Sequence, residues 1–285
     1  MMLLLPFLLP PSGFHGSSSH RAGALRAQPR ASPLRAAIPA FLPKSKVDEL
    51  SEQACLQTLA AIETQEVELP STLASGPVTA TFARTNCAPT PGVPPVVLLH
   101  GFDSSCLEFR RLLPELEARG IEAYALDIFG WGFADTTNAN SVGVDAKREH
   151  LLAFQKAVLD GRQMLLSGVS LGWAAASHLP APAAHPVPDL AVCSPTRIPW
   201  PCSAAIIIDF YAAHPEAVAA TVLVDPQGFL DGTPPVPERF ARAGIQVLGS
   251  WPLRSMANQM AYYDTDTLAT DDAIRVGQLH CLRPG

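Results

Sequence analysis

Gly168-Val169-Ser170-Leu171-Gly172 places a serine midway between two glycines, each two positions away. This G-x-S-x-G spacing is what a nucleophile elbow requires, a strained strand-to-helix turn that pushes the serine hydroxyl outward. Strand and helix fold back past each other there, so a side chain at either glycine would collide with the opposing element. The chemistry this permits is attack by Ser170 on an ester-like carbonyl or a related electrophile. Serine is a poor nucleophile by itself, so such a site also needs a histidine base oriented by a carboxylate, and donors for the oxyanion. A second motif, His100-Gly101-Phe102-Asp103, directly follows the apolar run Val96-Val97-Leu98-Leu99.

Both motifs need strands to present them. Pro95 to Leu99 is continuously apolar, the pattern of a buried parallel strand, and Arg162 to Ser167 leads into the elbow as another. Glu66 to Leu69 and Val78 to Phe82 alternate as half-exposed antiparallel strands do. Ile121 to Leu126 and Thr221 to Asp225 complete the predicted strands. Helices are predicted over Val47 to Thr64, Leu107 to Ala118, Val144 to Leu159 and Ala204 to His214, the last ended by Pro215. Phe240 to Leu248 and Leu253 to Tyr263 read as further apolar helices. Strands alternating with helices predict an α/β fold with a mainly parallel sheet.

One stretch breaks the pattern. Residues 173–203 hold seven prolines where a buried helix should follow the elbow, and proline in a helix interior costs about 3 kcal/mol. Joining Gly172 to Ala204 restores an unbroken elbow and helix. Trp173 after a glycine codon ending in G spells a splice donor, and Cys202-Ser203 can encode an acceptor. The stretch therefore reads as a retained intron or a Pro-rich insertion.

Composition narrows the function classes. Residues 1–46 carry Arg21, Arg26, Arg30, Arg35, Lys44 and Lys46 but no acid, whereas all 26 carboxylates lie beyond, against 14 other Lys and Arg. That acidic body argues against nucleic-acid binding. No run of eighteen apolar residues predicts a membrane span. The six cysteines lack C-x-x-C spacing and read as unpaired thiols. The apolar start followed by a basic, Ser- and Ala-rich segment resembles the two-part leader of plastid proteins in algae with complex plastids. A secretory address is the alternative.

Leu98 to Phe109 (LLHGFDSSCLEF), Asp127 to Asp135 (DIFGWGFAD), Lys147-Arg148-Glu149-His150 and the elbow together resemble the α/β-hydrolase superfamily, and within it plastid-associated α/β-hydrolases of plants and algae. The resemblance implies an α/β-hydrolase fold with helices on both sheet faces and a helical cap. It divides the chain into a leader (1–46), a core (47–172 and 204–226), the Pro-rich insertion (173–203) and an incomplete cap (227–285). It implies Ser170 as nucleophile and the backbone N–H groups of Phe102 and Leu171 as the oxyanion hole. His100 and Gly101 would shape that loop without exchanging protons, and Asp127, Gly130 and Gly132 would be structural. No metal or cofactor is implied, and the expected substrate is a small, apolar, ester-like molecule.

In such proteins the acid and then the histidine follow the nucleophile in chain order. Asp225, ending a strand, is the candidate acid. His214 and His280 are candidate bases, both weak: the first precedes Pro215 at a helix end, and no strand leads to the second. His178 and His185 fall in the Pro-rich break. Asp264, Asp266, Asp271 and Asp272 read as turn and cap residues. Two further strand–helix units would normally follow the cap, so the chain reads as truncated, with an incomplete triad. Two other readings stay open: a non-catalytic relative that binds a ligand or partner, and cofactor-free halide or C–C bond chemistry on the same scaffold. A fluorescent fusion of residues 1–60 is expected to enter plastids and lose its leader; an uncleaved cytosolic fusion would count against that address.

Overall fold

The computed structural model describes residues 41–101, 104–169, 203–224 and 250–282. Among them, six strands form one sheet: β1 (Ile62–Val67), β2 (Val78–Arg84), β3 (Val96–Leu99), β4 (Ala123–Leu126), β5 (Met164–Val169) and β6 (Val218–Val224). Their spatial order is β1-β2-β4-β3-β5-β6. The β1–β2 and β2–β4 pairs are antiparallel, and β4–β3, β3–β5 and β5–β6 are parallel. Three of these five pairs are parallel, in line with the expected α/β fold and its mainly parallel sheet.

Alternation along the strands sends side chains into two cores. Val97, Leu99, Tyr124, Leu126, Met164 and Leu166 pack on one face with Phe154 of α4 (Val144–Val158) and Ile206, Ile207 and Phe210 of α5 (Ser203–Ala213). Leu98, Ala83, Ala123 and Ala125 face the other side. There they meet Val47 of α1 (Lys44–Asp48), Cys55 and Leu59 of α2 (Gln53–Ala60) and Leu113 of α3 (Leu112–Ala118). Covering both faces is what continuous apolar strands such as β3 require.

Several predicted elements shift for physical reasons. The single helix expected over Val47 to Thr64 is two, α1 and α2, and residues from Ile62 join the sheet instead. Strand β1 thus runs Ile62–Val67 rather than Glu66 to Leu69, because six residues pair with β2 there. The break between the helices is held from far along the chain. Asp272 Oδ2 accepts from Ser51 N at 2.8 Å, Ser51 Oγ at 2.7 Å and Glu52 N at 2.5 Å. Asp272 is therefore a long-range cap for α2 as well as a first-turn residue of its own helix. The helix expected over Leu107 to Ala118 is a 3-10 turn, Cys106–Phe109, followed by α3. Pro114 has no N–H and its ring would strike the carbonyl four residues earlier, so α-helix cannot run through Arg110.

Beyond β6 lie α6 (Trp251–Ala261), α7 (Thr265–Leu268) and α8 (Asp271–Leu279). Within the stretch read as cap, α8 buries Val276 and Leu279 in the second core. Asp264 caps α7 as expected, accepting from Thr267 N at 3.2 Å. The helix predicted over Phe240 to Leu248 lies outside the described residues. No described helix is long and apolar enough to cross a membrane.

The end of β5 meets the start of α5. A Cβ on Gly168 would lie 2.6 Å from Ile207 Cδ1 and 3.2 Å from the Ser203 carbonyl carbon, so a side chain there would force Ile207 aside and press on the α5 backbone. Helix α5 starts at Ser203, one residue before the boundary expected from sequence, and Ser203 is fully buried. A chain lacking residues 173–203 is expected to keep this crossing and to melt no lower than the parent. A melting temperature several degrees lower, on the order of 1 kcal/mol of lost stability, would show that the insertion supports the fold.

Candidate active site

The site is set by where strands end. Leu99 of β3 pairs with Gly168 of β5, so the loop opening at His100 and the elbow serine start from neighbouring strand ends. Adjacent strands lie about 4.8 Å apart, so the two motifs leave the sheet from neighbouring strands. Val169 of β5 pairs with Val224 of β6, so Asp225 follows the next strand end along the same edge. Ser170, Leu171, Phe102 and Asp225 themselves lie outside the described residues.

Two fully buried polar side chains hold this edge together. Asp127, directly after β4, accepts from Cys106 N at 2.6 Å through Oδ1 and from Phe133 N at 2.8 Å through Oδ2. It thereby ties the 3-10 turn to the loop after β4. Burial pushes its carboxyl up to about 6, against the pull of those N–H groups. Gly132 lies against it with φ +62°, and a Cβ there would sit 2.4 Å from Asp127 Cγ. His100 Nε2 accepts from Ile128 N at 3.0 Å, which leaves the proton on Nδ1 to donate to Gly101 O at 2.8 Å. Burial lowers its pKa to about 3, so this ring stays neutral and spends both nitrogens on backbone. The structural parts expected of His100, Asp127 and Gly132 are what these bonds amount to.

Side chains without an assigned role surround this edge. His150 stacks on Phe129 with ring centroids 4.9 Å apart, places Nε2 3.2 Å from Thr79 O, and has its pKa lowered to about 4 by burial. Lys147 donates to Val142 O, and burial lowers its pKa to about 8. Glu108, on the 3-10 turn, accepts from Gly101 N at 2.8 Å. A lone acid inside the apolar run Cys106-Leu107-Glu108-Phe109 was the available signal, but only folding shows which amide it meets.

The two candidate bases fall in different places. His214 precedes β6, whose first residue Val218 pairs with Met164 at the start of β5. It therefore stands beside the N-terminal end of β5, opposite the end that leads into the G-x-S-x-G motif. Its ring faces Glu216 at 3.6 Å and Glu149 at 4.0 Å. His280 is buried, with Nε2 3.4 Å from Cys281 Sγ. Among the described residues no three His, Cys, Asp or Glu side chains gather as a metal site would.

Comparison with known proteins follows the same outline. The profile of the Alpha/beta hydrolase family matches residues 96–283. The chain is similar to the alpha/beta hydrolase domain-containing protein VTE7 of Arabidopsis thaliana, with 35% identity over 193 residues, 67% of this chain and 49% of that protein. It thus spans about half the length of that relative. A probable hydrolytic enzyme from Pseudomonas aeruginosa shares the fold at a TM-score of 0.55 and 15% identity, over 78% of this chain and 61% of that one. Naproxen esterase from Bacillus subtilis aligns at 17% identity and a TM-score of 0.45, over 82% of this chain and 69% of that one.

The buried groups give stability a pH dependence. His100 and His150 have depressed pKa values, so the unfolded chain takes up their protons first, and stability falls as pH drops below the usual 6.5. Asp127 has a raised pKa, so its contribution has the opposite sign and grows as pH falls from about 6 toward 4. Two imidazoles outweigh one carboxyl, and urea melts should show roughly 2 kcal/mol less stability at pH 5 than at pH 7. In His150→Gln the fall should shrink by at least half. A flat or rising profile between those pH values would contradict neutral, buried imidazoles.

Proposed function

The chain belongs to the alpha/beta hydrolase family, and on that premise we propose that it carries a serine-hydrolase site acting on small, apolar, ester-like substrates. Ser170 is the nucleophile, and the backbone N–H groups of Phe102 and Leu171 bind the oxyanion that forms only at the tetrahedral stage. The observation that carries this reading is the Leu99–Gly168 pairing, which starts the His100-Gly101 loop and the elbow side by side. Tight passage of α5 behind Gly168 supports it, because a strand-to-helix crossing at that glycine is what an elbow needs.

Asp225 is the acid that the strand order favours, since it follows a strand end next to that of β5. The base is the weak point. Strand polarity speaks against His214, which precedes the start of β6, and the Cys281 thiol beside His280 Nε2 speaks against His280. The reading therefore assigns this chain a nucleophile and oxyanion donors without an efficient base, which leaves only residual catalysis. A ligand-binding relative without turnover is the second reading, favoured by the same placement of the histidines. The acid-free segment 1–46 is proposed as a leader to the plastid.

Chemical rescue separates the readings. Hydrolysis of a short p-nitrophenyl ester is expected to differ less than about tenfold between the parent chain and Ser170→Ala. Added imidazole, standing in for the base, should raise the parent's rate above the Ser170→Ala background in a saturable way. No Ser170-dependent rate at any imidazole concentration would favour the binding reading. A large Ser170-dependent rate without imidazole would promote His280 to the base.

A further inference from the structure

The peptide groups on either side of Gly101 are both pinned, and by two different side chains. Its N–H donates to Glu108 Oε2 at 2.8 Å, and its carbonyl accepts from His100 Nδ1 at 2.8 Å. Each of those side chains is itself fixed. His100 is locked by the bond from Ile128 N to Nε2. Glu108 rides on the 3-10 turn whose first amide, Cys106 N, is held by Asp127 at 2.6 Å, and it also bonds to the Ser104 side chain. The Ser105 hydroxyl caps the same turn by accepting from Leu107 N. The loop is therefore clamped by acceptors and donors from both of its ends.

A trans peptide is planar, with its N–H opposed to its C=O. Fixing the Gly101 carbonyl against His100 therefore fixes the direction of the amide that follows it. Fixing the Gly101 N–H against Glu108 prevents the glycine, which has the widest choice of backbone angles, from swivelling that plane. An oxyanion donor must lie within about 2.7–3.1 Å of where the charge appears, and misplacement by an ångström can cost about a hundredfold in rate.

We propose that Glu108, together with His100, is a positioning residue for the oxyanion hole: it clamps both peptide groups of Gly101, the residue that leads into the expected oxyanion donor. This inference rests on the serine-hydrolase reading of the same site. Glu108 touches neither the substrate nor the reacting atoms, and it exchanges no proton in the reaction. What it needs is an acceptor oxygen at the right reach, not a negative charge, which so near an oxyanion would oppose it.

The test uses the full chain and imidazole-assisted, Ser170-dependent hydrolysis of a short p-nitrophenyl ester, read as kcat and KM separately. Glu108→Ala should lower kcat by about tenfold or more with KM little changed, since only transition-state binding is lost. Glu108→Gln keeps an acceptor oxygen at the same reach and should retain at least about half the parental kcat. Glu108→Asp, shorter by one methylene, should behave like Glu108→Ala and takes its place if that variant does not fold by circular dichroism. In amide NMR spectra of the parent, the Gly101 proton should lie well downfield, staying there in Glu108→Gln and moving upfield in Glu108→Ala or Glu108→Asp. A parental Ser170-dependent rate that both shortened variants preserve would overturn this inference alone, as would an equal loss in Glu108→Gln. Absence of any Ser170-dependent rate in the parent would overturn the hydrolase reading and this inference with it.

Discussion

A carboxyl and an imidazole, both with no solvent exposure, sit where the central strands end, and the rest of the site hangs from them. Burying Asp127 and His100 is costly, and each is tolerable only because backbone amides and carbonyls satisfy it. Asp127 ties the 3-10 turn to the loop after β4, and His100 ties that same loop to the peptide after Gly101. Removing either would leave buried N–H groups without acceptors, a loss larger than the net worth of the bonds themselves. The bracket also explains Gly132, which must let the Asp127 carboxyl pass where a Cβ would stand.

The sheet determines what this bracket can serve. Parallel strands β3, β5 and β6 point their C-terminal ends the same way, and their loops collect at one edge, where ligands bind in open α/β sheets. The pairs Leu99–Gly168 and Val169–Val224 set the order of the three segments that leave that edge. His214 shows the reverse: the same parallel direction carries it to the edge from which β6 departs. Chain order alone admits it as a weak candidate base, and strand polarity places it where β6 begins.

Stability and site share elements on the second sheet face. Asp272 of α8 caps the start of α2, and Glu52, beside that cap, pairs with Arg110 at 2.9 Å and Arg111 at 2.6 Å. Arg110 directly follows the 3-10 turn that holds Glu108. The C-terminal helix is therefore joined by hydrogen bonds and ion pairs to the element that clamps the loop. Because Glu52 and Arg110 are largely buried, their attraction is less screened than that of an exposed pair, and removing either partner would leave a buried charge unpaired.

The sequence by itself determined the parts that depend on local pattern. Continuous apolar runs marked the buried strands β3 and β5, helices α4 and α5 lie within a residue of their expected bounds, and two short motifs offered a candidate nucleophile and loop. The strand and helix signals survive because burial on both sheet faces acts over a few residues. Tertiary structure alone decided the rest. It turned residues from Ile62 into a strand because β2 offered a partner, and it made Asp272 a cap for a helix some 220 residues away. It set His214 beside Glu149 and Glu216 and His280 beside Cys281, and it aimed Glu108 at one particular amide. Each of these depends on which distant groups meet once the sheet has closed, and spacing along a chain does not encode direction in space.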